Sequence, residues 1–407
     1  VSHLRLTTAG ESHGPGQMCV LEGLPAGLAL NLNDVEEDLR RRRQGHGRGG
    51  RMRIEADALE LISGVRHGTT LGTPVAILIR NKDHSNWRPL MQPEKVEKSL
   101  DESQLDQPVT VPRPGHADFA GVAKFGHSDI RNVLERSSAR ETVMRVAAGA
   151  LAKSFLAELG VTVRGCVTRV GSVQVTSGDP ANPASVDWDQ VDKSASGCQD
   201  SVADAEIARI VERAREAGNS LGGVFEVWGW GLCPGLGHMG SYRERLDGRL
   251  MGAVGSIPAV KGVEIGLGFA SASRSGSEAH DPFTLRDEGK NRHMTRPTNH
   301  AGGIEGGMTN GMPLIVRAAM KPIPTLVNPL PSVEITTMQA SPAHHERSDV
   351  EAVAAARVIG EAMVALELAD AYRMKFGGDS MQEVLASVQS YEDGLEERGL
   401  WRRQYRS

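Results

Sequence analysis

The sequence predicts an α+β fold built as one large domain, and three observations lead there. Strand-like segments alternate with capped helices along the chain, and the middle mixes both types. No regular series of strand–helix–strand units runs through it, as a doubly wound parallel sheet would require. No segment has the composition of an interdomain linker, although 407 residues exceed the usual size of one domain.

The elements follow in order. Residues 4–9 and 17–22 read as strands of a hairpin around the loop 10–16. Asn33-Asp34-Val35-Glu36 has capping-box spacing and opens an acidic-then-basic helix to about Gln44, an order that suits the helix dipole. A strand is predicted over 74–80, an irregular proline-dotted connection over 81–115, and a second capping box at Ser138-Ala139-Arg140-Glu141 that opens a helix ending at Gly160. A strand pair over 161–175, a loop over 176–202, a helix over 203–217, a strand over 223–232 and a helix over 243–255 complete the middle. Beyond a glycine-rich stretch up to residue 311, Pro313 to Pro324 reads as a strand. Ser348-Asp349-Val350-Glu351 opens a third capped helix to Phe376, and a last helix covers 380–398. Gly23–Leu28 recurs loosely as Gly231–Leu236, each after a strand and before a charged helix. That hints at an internal duplication of about 17–55 and 223–262, which chance recurrence also explains.

Composition bounds the function. A net charge of -5 argues against a nucleic-acid binder, as does an aromatic content of 4%, too low for stacking platforms. Four scattered cysteines without a C-x-x-C pair support neither a disulfide framework nor a zinc site, so no metal is expected. They suit a reducing compartment. Neither a signal-peptide pattern nor a membrane span is visible, so a soluble, cytoplasmic protein that does not engage a membrane is expected. The basic residues divide into 36 Arg and 10 Lys, and the guanidinium fork matches carboxylate and phosphate.

Clustering sharpens that bias. Seven Arg fall between Arg40 and Arg53, interleaved with glycine. Successive helical residues are about 100° apart, so one or two of Arg40–Arg43 are expected to join Arg48 and Arg51 around a small polyanion, with the rest solvated. Gly10-Glu11-Ser12-His13-Gly14 matches the G-x-S-x-G elbow of serine hydrolases, but a strand-like segment follows where an elbow needs a helix. Ser12 and His13 read better as polar groups presented to a ligand, with His13 a candidate acid. The prolines of Val111-Pro112-Arg113-Pro114-Gly115-His116 stiffen the presentation of Arg113 and His116. Arg136-Ser137-Ser138, with Arg140 in the first turn of the following helix, forms a natural anion site, and Arg347-Ser348-Asp349 repeats the arrangement. Asp349 is expected among the free N–H groups of that helix start, which favour an ionised carboxylate. Three readings stand on these residues: a small-anion enzyme, a G-x-S-x-G hydrolase and a basic nucleic-acid-binding protein.

Taken together, the motifs resemble the chorismate synthase family over nearly the whole length. They are Ala9–Gly14, Arg41–Gly49, Arg113–Asp118, Glu135–Thr142 with Arg145–Gly149, Gly302–Gly311 and Arg347–Asp349. The resemblance implies a β-α-β sandwich assembled as a homotetramer. It also implies conversion of 5-enolpyruvylshikimate 3-phosphate to chorismate and phosphate by a 1,4-anti elimination that needs reduced FMN without net redox change. By motif, Arg42, Arg48, Arg51, Arg113, Arg140 and Arg347 would hold the substrate anions. His13 would protonate the departing phosphate, His116 would lie near the flavin, and Asp349 with Ser12 would assist removal of the ring proton. Arg136, Ser137, Ser138, Pro258, Ala259, Gly306, Lys321, Pro322, Ile323, Pro324, Thr325 and Arg347 would contact FMN. Pro258 and Pro324 depart from the family's usual residues, so contacts there would be backbone or apolar. The positions of Arg42 and Arg48 are also associated with NADPH (the NADP cofactor); substrate is the preferred ligand. No segment for an intrinsic flavin reductase is visible, so a separate reductase or other reductant is implied.

Overall fold

The computed structural model describes residues 3–48, 58–95, 108–287, 289, 292–346 and 348–403. Arg51 and Arg347 lie outside the described residues. Two antiparallel sheets enclose a layer of helices, as the β-α-β sandwich requires. The first sheet has the order Arg5–Ala9, Gly16–Glu22, Val75–Arg80, Leu59–Ser63. Period-two alternation sets its register. Gln17, Cys19 and Leu21 pair with Ile79, Ile77 and Val75, so one face is buried on both strands. The second sheet runs Val260–Ile265, Leu314–Met320, Gly223–Trp230, Thr162–Val170, Val173–Gln174.

Helices Thr142–Glu158 and Val353–Phe376 fill the space between. Val353–Phe376 is buried on nearly every side, which explains why its sequence carries no clear polar face. Its contact with helix Thr142–Glu158 is close. A Cβ added to Gly149 would come within 2.3 Å of the Ala362 Cβ, so only glycine lets these backbones approach.

An ion network ties this layer to helix Leu32–Arg42. The fully buried Glu361 accepts from Arg41 Nη2 at 2.6 Å, from Lys153 and from the Gly165 amide, while Asp38 pairs with Arg41 at 2.8 Å. Burial raises the Glu361 carboxyl, but Arg41 and Lys153 outweigh it and hold the group well below the usual range. Arg357, one turn away, is pulled down to about 10, first by burial and then by repulsion from Arg41. The expectation that one or two of Arg40–Arg43 join the site while the rest are solvated is corrected at Arg41. Arg40 pairs with Glu37 on the surface, Arg42 enters the site, and Arg41 is a structural cation of the core.

Helix starts differ from the predicted boxes. Asn31, not Asn33, caps the first helix, its side chain accepting from Asn33 N at 3.2 Å. Ser138 caps a single 3-10 turn, Ala139–Glu141, and the α-helix begins at Thr142. The third helix begins at Val353, so Asp349 precedes it. Glu351 takes the capping part, accepting from Val353 N at 2.6 Å. The connection 81–115 holds a helix, His84–Met91, and the loop 176–202 holds another, Trp188–Lys193. In the former, Asp83 accepts from Trp87 Nε1 at 3.1 Å and from Asn86. No helix among the described residues is long and apolar enough to cross a membrane, and all four cysteines are buried and free.

The two recurring Gly-Leu segments make the same turn. Gly23 and Gly231 adopt φ of 93° and 81°, and Gly27 and Gly235 both adopt 85°. Leu28 N donates to Thr70 Oγ1, which donates to Pro25 O. Leu236 N donates to Thr309 Oγ1, which donates to Cys233 O.

Candidate active site

A cavity of about 420 Å³ opens where the Ser12–His13 loop, the start of helix Thr142–Glu158, the Arg113–His116 loop and the segment before helix Val353–Phe376 converge. Its size is ordinary for a small-molecule site. Part of its lining is apolar, contributed by Ala355, Ala356 and Ile359 of the long helix and by Ile257, Met320 and Ile323.

His13 is fixed on three sides. Its amide and Nδ1 both meet Glu135, at 2.7 Å each, and its ring stacks on Trp87 at 3.7 Å between centroids. His84 Nδ1 lies 3.1 Å from its carbonyl oxygen. With Nδ1 engaged, Nε2 is the nitrogen available to a ligand. Ser12 Oγ donates to Ser138 Oγ at 3.1 Å, and the Ser12 carbonyl accepts from Arg140 at 3.0 Å. The Ser12 hydroxyl is thus directed to a second serine. The loop joins two strands, so the hydrolase reading fails on geometry as well as on pattern.

Arg113 is buried and gripped by Asp118, which accepts from its Nε at 2.8 Å, its Nη2 at 3.0 Å and its backbone amide. Nη1 donates to Thr325 Oγ1 at 3.1 Å. His116 Nδ1 stands 2.5 Å from Asp118 Oδ1, a separation that requires the proton on Nδ1. Arg113 Nη2, 3.0 Å from that nitrogen, is thus a neighbour and not a donor to it. Burial raises the Asp118 carboxyl, but the bonds from His116 and Arg113 prevail and hold it well below the usual carboxylate range.

Arg42 reaches the cavity through bonds to Thr142 Oγ1 and the Ala139 carbonyl, both at 3.0 Å. Arg48 pairs with Asp349 at 2.6 Å. Glu351 lies behind them, its carboxyl pushed up by burial against the pull of Arg48. The Gly47 carbonyl accepts from Val350 N, so the glycine-rich loop is pinned to the same segment.

Most residues singled out in the sequence line this space: Ser12, His13, Arg42, Arg48, Arg113, His116, Arg140 and Asp349 on its polar side. Ser137, Ser138, Pro258, Ala259, Lys321, Ile323, Pro324 and Thr325 line its other walls. Ala259 holds φ of 69°, and its carbonyl accepts from Lys321 N at 2.9 Å. Among the described residues, three are not brought into the lining. Arg136 donates to Thr8 and Gly10, Gly306 turns the hairpin Ile304–Glu305 to Met308–Thr309 at φ 59°, and Pro322 sits between the lining residues Lys321 and Ile323 without lining the cavity itself. Sequence reasoning gave no part to Glu135, Asp118, Trp87, Thr142 or Glu346. A carboxylate two residues after His116 and five after Arg113 was the available signal for Asp118. Trp87 carried none.

The comparisons agree with this geometry. The chorismate synthase family model matches residues 4–373. Chorismate synthase of Desulforudis audaxviator (strain MP104C) is 51% identical over 388 residues, 95% of this chain and 97% of its own. That of Symbiobacterium thermophilum is 49% identical over 399 residues, 97% of this chain and 100% of its own. A crystal structure of chorismate synthase matches with a TM-score of 0.77 at 38% identity, covering 97% of this chain and 99% of that one. The family match runs through every segment that lines the cavity, from the Ser12–His13 loop to Ile359, and the chain belongs to the chorismate synthase family.

Proposed function

We propose that this cavity carries out the family's reaction, the 1,4-anti elimination of phosphate from 5-enolpyruvylshikimate 3-phosphate to give chorismate. The observation that carries the assignment is the convergence of Arg42, Arg48, Arg113 and Arg140 with His13 and His116 on one cavity whose lining is also partly apolar. The substrate bears one phosphate and two carboxylates, and a guanidinium cluster is suited to all three. In the reaction a C–O bond to phosphate and a ring C–H bond break, and a new double bond forms.

The family uses reduced flavin, here proposed to be FMN. The residues fit such a group: the apolar Ala355, Ala356 and Ile359 suit a planar ring, and the Ser137, Ser138 and Lys321 side chains suit its polar edges. When bound, the reduced flavin supplies electron density that promotes departure of phosphate and is recovered without net oxidation. His13, held by Glu135 through Nδ1, presents Nε2 to protonate the departing phosphate. His116, its Nδ1 proton held by Asp118, would have Nε2 available to the flavin. Asp349, oriented by Arg48, works with Ser12 to guide the ring proton away.

Arg51, Arg347, Arg136, Gly306 and Pro322 are retained as proposed contacts from the family's motifs, Arg51 and Arg347 to substrate and the rest, with Arg347, to flavin. A homotetramer in the cytoplasm, with reducing equivalents from a separate reductase, completes the reading. The test is anaerobic chorismate formation from the phosphorylated substrate with and without reduced FMN. Product only with reduced flavin is expected, and no product under either condition would refute the assignment.

A further inference from the structure

Glu346 is a carboxylate facing a cavity whose arginines serve anionic ligands. It stands 3.7 Å from Arg113 Nη1 and 3.5 Å from His344 Nε2. Arg113 commits Nε and Nη2 to Asp118, so Nη1, bonded to Thr325, is the nitrogen nearest Glu346. The His344 bond holds Glu346 below the ordinary carboxylate range. Burial opposes this, and the nearby charges of Arg113 and His13 assist it. Glu346 is therefore ionised at neutral pH. At 3.7 Å it lies beyond a direct N–H···O bond yet well inside the range of an unscreened field. An anion that approaches Nη1 meets this like charge, and such a juxtaposition weakens binding.

We propose that Glu346 competes with ligand anions for Arg113 Nη1 and limits how tightly the cavity holds phosphate or carboxylate, so that products leave. This rests on the reading of Arg113 as an anion-binding residue. A stronger competitor would occupy the nitrogen outright, as Asp349 does with Arg48 at 2.6 Å. The longer separation at Glu346 leaves Nη1 within reach of a ligand.

The test measures product inhibition constants for inorganic phosphate and for chorismate, with the substrate KM, in the full-length enzyme and in Glu346→Gln. The pair is repeated in an Arg113→Ala background, in which Asp118 keeps its bond to His116. Glu346→Ala serves as a second neutral variant, and circular dichroism checks the fold of each. Neutralising Glu346 is expected to lower the inhibition constant of at least one product by roughly five- to thirty-fold, with KM falling in step. The product that tightens identifies the anion held at Arg113. In the background lacking Arg113 the same change is expected to have less than about a twofold effect. Unchanged or raised inhibition constants in Glu346→Gln, with KM raised in the Arg113 background, overturn the proposal and leave the role of Arg113 standing. If the Arg113 background leaves KM unchanged, the anion reading of Arg113 fails and the proposal with it.

Discussion

Glu135 holds His13 at two points, its Oε1 2.7 Å from the ring Nδ1 and its Oε2 2.7 Å from the backbone amide, while Trp87 covers the ring face. A histidine held in this way has one nitrogen left for chemistry and little freedom to turn it elsewhere.

His13→Ala and His116→Ala are each expected to lower single-turnover rates under reduced FMN by about two to three orders of magnitude with the fold intact, the usual scale for a positioned acid or base. Glu135→Gln keeps the shape but loses the charged anchor, and about a tenfold loss is expected. Circular dichroism and rapid-quench rates check both. A near-normal rate in His13→Ala would reduce that residue to a structural part.

Arg48→Ala and Arg113→Ala are expected chiefly to raise the substrate KM, each by a loss of roughly 1.5 to 3 kcal/mol of charge-assisted bonding. Lysine restores charge without the fork, so rescue at either position is expected to be partial. Full rescue at both would show that charge alone matters.

Asp118 gives a pH prediction with a definite sign. Its folded-state pKa is depressed, so the stability it contributes is present above its unfolded value of about 4 and is lost as pH falls below that value toward the folded one. Asp118→Asn is expected to lower stability by about 3 kcal/mol at pH 7, because Arg113 is left buried without its carboxylate. The difference in Tm between wild type and variant is expected to hold from pH 7 to about pH 5 and to narrow below about pH 4. A difference that widens on acidification would contradict this account.

How much of this was legible depends on the distance over which a residue acts. Strand alternation in 17–22 and 74–80 was readable because burial on one face imposes period two within the segment itself. The polar cavity lining was readable because Arg, His, Pro and Gly are concentrated in short motifs around His13, Arg48, Arg113 and Ser138. Asp349 was misread as a helix-start acid because Ser-Asp-Val-Glu has capping spacing. In the fold Leu221 N bonds to Val350 O and Val350 N to Gly47 O, and these long-range bonds hold the segment out of the helix until Glu351 caps Val353. Arg41 was misread for a related reason. Its partner Glu361 lies 320 residues away in sequence, and nothing near Arg41 announces it. Trp87 stacks on His13 only once the helix His84–Met91 has folded back over the hairpin.

The corrected position of Asp349 changes its expected phenotype. With no helix start to cap, Asp349→Asn is expected to leave thermal stability within about 1 kcal/mol of wild type, as for a partly exposed ion pair. The elimination rate is expected to fall by at least about tenfold as Arg48 loses its anchor. Differential scanning calorimetry alongside single-turnover kinetics separates the two. Loss of stability with an unchanged rate would make the residue purely structural.

The central claim is that flavin and polyanionic substrate share the cavity between His13, Arg113 and helix Val353–Phe376. It is tested most directly by titrating oxidised FMN fluorescence with and without 5-enolpyruvylshikimate 3-phosphate, in wild type and in Arg48→Ala. Two ligands ordering one set of side chains are expected to couple positively, so substrate is predicted to tighten FMN by roughly five- to a hundredfold in wild type, with most of that gain lost in Arg48→Ala. An FMN affinity that substrate leaves unchanged in wild type would contradict the shared site.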